Sequence, residues 1–250
     1  MAPKIRLDAL LVAQGLAQNR TRAQALIISG SVFSDEVRLD KPGHQVKLDT
    51  KLEVRRSKKK FVSRGGEKLE HAIAYFGFSL LGDRCLDIGA STGGFTDVLL
   101  KAGASHVTSV DVGRGQLAWG LRNDERVTVL EGFNARYLTK EQVPIPPKFI
   151  VCDASFIGLE KVLPAALDLA AHDGGLVALI KPQFEVGKGR VGKGGVVKDP
   201  DLHLQVCENV SIWLEREMDW GVKGITESPL KGPKGNKEFL IYACKRVDVR

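Results

Sequence analysis

Arg84-Cys-Leu-Asp-Ile-Gly-Ala-Ser-Thr-Gly-Gly-Phe-Thr-Asp97 decides how the rest of this 250-residue chain is read. Cys85, Leu86 and Ile88 form a short apolar run of buried-strand type, and Gly89, Gly93 and Gly94 interrupt it before a helical run opens at Phe95. Strand, glycine turn and helix follow in that order. Glycines at such a turn let the backbone approach a ligand closely, and the helix N-terminus behind them offers unpaired N–H groups and a partial positive charge. The dinucleotide fingerprint G-x-G-x-x-G fails at its second position, where Ser91 stands, so a nicotinamide cofactor is disfavoured.

Working outward, apolar runs at 84–90, 106–112, 127–132, 148–154 and 176–182 alternate with helical stretches, which predicts a parallel, doubly wound α/β sheet. Two further runs, 222–226 and 237–245, are joined by a connection too short for a helical crossover, so the last strand should be antiparallel. A helix over 67–76, with Leu69, Ile73 and Phe76 inward, precedes the first strand of this domain. The acid two residues before the first glycine, Asp87, and a second acid, Asp111, ending the next strand resemble the S-adenosylmethionine site of Rossmann-like methyltransferases. The resemblance implies that Asp111 accepts hydrogen bonds from the cofactor ribose. It also places Asp87, Gly89, Ala90, Ser91, Thr92, Gly93, Gly94, Phe95, Phe133, Asn134 and Asp153 at the cofactor. Gly132-Phe133 departs from the more polar segment usual there, which leaves the adenine contacts unassigned.

The fourth and fifth strands end at Asp153 and Lys181, at the carboxyl edge where open α/β sheets bind ligands. Lys68, on the helix before the first strand, and Glu238, at the start of the last, reach the same crevice if the topology holds. Methyl transfer to a ribose 2′-hydroxyl needs a weakly acidic alcohol to lose its proton, and a lysine held by carboxylates can take or stabilise that proton. Transfer to an exocyclic amine fits worse, because the N/D-P-P-aromatic turn is missing after strand four; strand five likewise lacks a Pro-Cys nucleophile. Cys152 alternates away from Asp153 and reads as core.

Net charge divides the chain. Residues 1–60 carry 13 Lys and Arg against 6 Asp and Glu, whereas residues 61–250 are balanced at 24 each, so the whole formal excess of +7 lies in the first quarter. Such asymmetry suggests a nucleic-acid-binding module joined to a neutral domain. Within it, Ile5–Ala17 and Thr21–Ser29 read as helices, and short alternating pieces from Val32 to Val54 as a small hairpin sheet. This α+β order, with Arg20 and Arg22 opening the second helix, resembles the RNA-binding module first known in small-subunit ribosomal protein S-four. Arg55, Arg56, Lys58, Lys59 and Lys60 form a basic linker, Arg64 follows it, and Lys188 and Arg190 lie in a glycine-rich loop; all are candidates for phosphate contact.

The whole chain resembles the TlyA or hemolysin A family, which joins an S-four-like domain to an FtsJ-like ribose methyltransferase domain. The stretches that carry the resemblance are Val62 to Leu69, Leu86 to Thr96, Cys152 to Phe156, Lys181 to Glu185, Gly195 to Pro200 and Ser228 to Phe239. Lys68, Asp153, Lys181 and Glu238 match that family's Lys-Asp-Lys-Glu tetrad. The resemblance implies 2′-O-methylation of cytidine in ribosomal RNA, S-adenosylmethionine as donor, and ribosomal RNA or ribosomal subunits as partner. A membrane-active hemolysin and an RNA-binding protein with an inactive catalytic domain are the alternatives. Against membrane action, no charge-free stretch exceeds twelve residues, short of the roughly 20 that a span requires, and no signal peptide is read. The four cysteines and five histidines show no ligand spacing, which predicts no metal, a reducing compartment and a cytoplasmic location.

Overall fold

The structure, a computed structural model, describes residues 3–28, 30–55, 60–187, 189–192 and 194–246. The expectations placed on Arg56, Lys58, Lys59 and Lys188 lie outside the described residues. The chain folds as two units, Met1–Lys60 and Phe61–Arg250.

In the first unit, β1 (Lys4–Arg6) leads into α1 (Leu7–Ala13), and α2 (Arg20–Ile28) follows. The expected long helix is therefore shorter at both ends. Ile5 is a strand residue opposite Val46. Gly15, at φ 71°, turns the chain left-handed so that its N–H meets Val12 O while Leu16 N–H meets Leu11 O, which closes α1 after two turns. Asn19 accepts from Arg22 N–H and opens α2. The strands β2 (Val32–Ser34), β3 (Val37–Arg38), β4 (Gln45–Lys47) and β5 (Glu53–Val54) do not make one hairpin sheet. They divide, β4 joining β1 while β2 pairs antiparallel with β3 and β5. Leu7, Leu10, Leu11, Ala23, Ile27 and Val32 fill the core between them.

The second unit is a three-layer α/β domain. Its helices are α3 (Gly65–Phe76), α4 (Gly94–Lys101), α5 (Trp119–Arg122), α6 (Leu159–Val162), α7 (Pro164–Leu169), α8 (Pro182–Glu185) and α9 (Pro200–Arg216). Its strands are β6 (Arg84–Ile88), β7 (His106–Asp111), β8 (Val127–Glu131), β9 (Phe149–Cys152), β10 (Gly175–Ile180), β11 (Trp220–Glu227) and β12 (Phe239–Lys245). They form one sheet in the order β11-β12-β10-β9-β6-β7-β8, parallel except that β12 runs antiparallel to both neighbours, as the short connection requires. Every residue of β10 is buried. Leu176, Ala178 and Ile180 face one core while Val177 and Leu179 face the other, which is how a strand covered on both faces must read. Cys152 lies in the core on the α9 side, as its alternation predicts. The strand order reverses between β6 and β9, and a crevice opens at their carboxyl ends.

Candidate active site

The register Ile88 to Cys152 brings Gly89 beside Asp153, whose N–H donates to Ile88 O at 3.0 Å. Gly89 sits at φ 79°, and a Cβ there would lie 2.9 Å from the Cα and N of Ala154, so both conformation and space demand glycine. Ser91, also left-handed at φ 48°, points its N–H at Asp111 Oδ2 (2.8 Å), and Gly113 N–H reaches Oδ1 (2.7 Å). Each Asp111 oxygen keeps a further acceptor site, and the residue lines a cavity of about 460 Å³ together with Gly89, Phe133, Asn134, Asp153 and Ile157.

A second cavity, of about 240 Å³, adjoins the first. Gly89, Ser91, Asp153 and Ser155 line both, and Lys68, Lys181 and Glu238 line the smaller one with Ala90, Thr92, Gly94 and Phe95. The four expected catalytic side chains thus meet. Asp153 stands between the lysines, with Lys181 Nζ 2.6 Å from Oδ1 and Lys68 Nζ 3.5 Å from Oδ2. Lys68 Nζ also lies 2.7 Å from Glu238 Oε2. Lys68, Lys181 and Glu238 are buried, at 9%, 5% and 1% exposure, and Asp153 is partly so, its side chain 20% exposed, which makes this an internally neutralised chain of two cations and two anions.

Residues 61–245 match the FtsJ-like methyltransferase family, and residues 5–52 match the S4 domain. The chain belongs to the FtsJ-like methyltransferase family. It is 48% identical over 249 residues to the 16S/23S rRNA (cytidine-2'-O)-methyltransferase TlyA of Mycobacterium tuberculosis, a match covering 99% of this chain and 92% of that protein. It is 43% identical over 241 residues to Hemolysin A of Brachyspira hyodysenteriae, covering 95% and 99% respectively. A solved structure described as a hemolysin, from Streptococcus thermophilus, superposes with a TM-score of 0.75 at 41% identity, over 100% of this chain and 92% of that one.

Two residues expected at the cofactor of this FtsJ-like methyltransferase stand outside both cavity walls. Asp87 is 0% exposed beneath the glycine turn, where Thr96 Oγ1 donates to its Oδ2 at 2.6 Å and lies 2.8 Å from Ser109 Oγ. Burial pushes its carboxyl up to about 7, against the Thr96 bond that lowers it. Gly93 packs against Leu121 and Leu117, where any side chain would collide. Both shape the turn from behind.

The expected RNA contacts also differ in their surroundings. Arg20 lends one guanidinium nitrogen to the buried Asp8, at 3.3 Å, alongside Arg6 and Gln24. Arg6 above all holds that carboxyl well below the usual carboxylate range. Arg55, expected as a linker cation, is instead a fastening within the first unit: it bonds Glu53, Glu36 and Asp35 O and lies 4.8 Å over the Phe33 ring. Arg22, Lys60, Arg64 and Arg190 are exposed, Arg190 donating to Gln205.

Sequence reasoning missed Ser155, whose Oγ accepts from Lys181 Nζ at 2.9 Å, and Phe156, which stands 91% exposed on the rim of the larger cavity at φ 66°. Both lie within two or three residues of Asp153, in a stretch already marked as site-forming. Among the described residues no helix is long and apolar enough to cross a membrane, and no group of three or more His, Cys, Asp or Glu side chains could hold a metal ion.

Proposed function

We propose that this FtsJ-like methyltransferase moves a methyl group from S-adenosylmethionine to the 2′-hydroxyl of cytidine ribose in ribosomal RNA. The observation that carries this reading is Asp153, which lines both cavities while holding an ammonium group on each carboxylate oxygen. The full-length similarity to a cytidine-2'-O-methyltransferase supports the same substrate.

The larger cavity suits the donor. Asp111 offers two carboxylate oxygens to a ribose, Phe133 and Ile157 offer apolar contact, and the bare backbone at Gly89 admits a group that any Cβ would exclude. When bound, the sulfonium supplies an electrophilic methyl group, so the protein's remaining task is the acceptor hydroxyl. In the smaller cavity Lys181, as the neutral amine after giving up one proton to solvent, receives the 2′-hydroxyl proton, and Asp153 fixes the direction of Nζ and offsets the charge of the ammonium that then forms. Lys68, held between Asp153 and Glu238, keeps the carboxylate of Asp153 in place and presents a cation to the substrate. Burial of Lys68, Lys181 and Glu238 lowers the local dielectric and strengthens each interaction.

RNA is held in this reading by the basic first unit, with Arg22 and Arg20 on α2, and by Lys60, Arg64 and Arg190. The site then works on a ribose presented in a soluble ribosomal particle. Mass-spectrometric mapping of 2′-O-methyl groups in unmodified ribosomal RNA, incubated with S-adenosylmethionine and either the wild type or Lys181→Ala, tests the assignment. A methylated cytidine that requires Lys181 is expected; its absence with the wild type overturns the reading.

A further inference from the structure

Lys181 Nζ donates to two acceptors, Asp153 O at 3.2 Å and Ser155 Oγ at 2.9 Å, and stands as an ion pair 2.6 Å from Asp153 Oδ1. All three belong to one short turn after β9, so residues 153 and 155 grip Nζ from a single piece of backbone. That turn is itself fixed. Ala154 lies against Gly89, where no side chain fits, and the left-handed φ of 66° at Phe156 turns the chain immediately after Ser155. Phe156 then lies against Phe184, two residues beyond Pro182 on the Lys181 side of the crevice, with ring centroids 5.2 Å apart. Ser155 lines both cavities, at their seam.

We propose that Ser155 is a positioning residue for Lys181: its hydroxyl accepts one Nζ hydrogen while the Asp153 carbonyl accepts another, and together they hold Nζ at the seam where donor and acceptor meet. The inference rests on the proposed function. Asp153 alone leaves Nζ free to swing; the Ser155 hydroxyl removes that freedom, and a group held in the productive direction reacts faster than one that must find it.

Steady-state kinetics on unmodified ribosomal subunits with S-adenosylmethionine decide the matter. Ser155→Ala should lower kcat about 10- to 100-fold, the span for losing a hydrogen bond to a charged group. KM for both substrates should stay within about two-fold, since the loss falls on the chemical step. Ser155→Thr, which keeps the hydroxyl, should recover most of the rate, a response that loss of packing would not give. If alanine unfolds the chain, Ser155→Cys, of similar volume but with a weak acceptor, carries the same expectation. An alanine variant with kcat within two-fold of wild type overturns the proposal, as does a raised KM for S-adenosylmethionine at unchanged kcat, which would assign Ser155 to the donor. Lys181→Ala run beside it separates the two levels. If it is slow while Ser155→Ala is not, only the role of Ser155 falls; if the wild type methylates nothing, the proposed function falls and takes this role with it.

Discussion

Glu238 Oε2 lies 2.7 Å from Lys68 Nζ, and the carboxylate beside Lys181 is that of Asp153. Lys68 and Lys181 thus each have their own nearest anion, within one cluster. Glu238 is therefore a structural counter-charge first. Removing its partner by Lys68→Met should strand a buried carboxylate and cost about 3 to 5 kcal/mol of stability near pH 8. Urea unfolding measures this, and Lys68→Met/Glu238→Gln should regain a large part. A double variant no more stable than the single one would show that the pair does not act as a unit.

Lys181→Ala should slow the chemical step by about 10² to 10⁴-fold while cofactor and RNA affinities stay close to normal. Lys181→Arg should not restore it, because a guanidinium stays protonated and cannot accept the proton. Single-turnover methylation of unmodified ribosomal RNA reads both variants, and near-wild-type turnover by the arginine variant would reduce Lys181 to a source of positive charge.

Asp111→Ala should weaken S-adenosylmethionine binding by about 1.5 to 3 kcal/mol through lost charge-assisted hydrogen bonds. RNA affinity should hardly move. Isothermal titration of the folded variant is the measurement. Unchanged cofactor affinity would mean that Asp111 serves only to fasten the N–H groups of Ser91 and Gly113.

Glu185 sits behind the site, its Oε1 accepting from Leu159 N–H at 2.9 Å, and burial pushes its carboxyl from the ordinary 4.5 up to about 7. A raised carboxyl binds more protons in the folded chain than in the unfolded one, so its contribution to stability is present at low pH and is lost as pH climbs from about 4.5 through about 7. Asp87 acts in the same sense. Glu185→Gln should therefore raise the melting temperature near pH 8 and flatten its fall between about pH 5 and pH 8, leaving the share due to Asp87. Parallel melting curves for wild type and variant would contradict this.

Arg22 and Arg20 separate recognition from folding. Arg22→Ala should weaken RNA binding and reduce the slope of log affinity against log salt by roughly one, without loss of stability. Arg20→Ala should also destabilise the first unit, because Asp8 loses one of its partners in a fully buried position. Salt titrations beside thermal melts distinguish the two, and equal melting temperatures would contradict the assignment for Arg20.

The sheet was legible because its signals are local. Apolar runs of strand length, glycine punctuation and a connection too short for a crossover state strand order and direction without reference to distant residues. The tetrad followed from topology, since strand ends at one edge of a sheet must converge. What could not be read is pairing that depends on distance in space. Nothing near Glu238 in sequence says that it meets Lys68, 170 positions earlier, and Ser155 carries no signature until the lysine of the next strand is placed beside it. In the first unit, Ile5 suits a helix stripe and a strand equally, and only its pairing with Val46 decides. Arg55 looked like a linker cation because its anions, Glu36 and Glu53, come to it through the fold of the short strands.

The backward run of β12 governs when the site can exist. Every other strand ends at the reacting edge, but β12 begins there, and so delivers Glu238 to Lys68 from the opposite direction. A chain emerging during synthesis exposes Lys68, Asp153 and Lys181 well before Glu238. In the finished sheet β12 lies between β10 and β11, and only with it in place does the buried lysine have its closest anion. A chain halted short of β12 would thus hold every residue that lines the larger cavity without the charge balance of the smaller one.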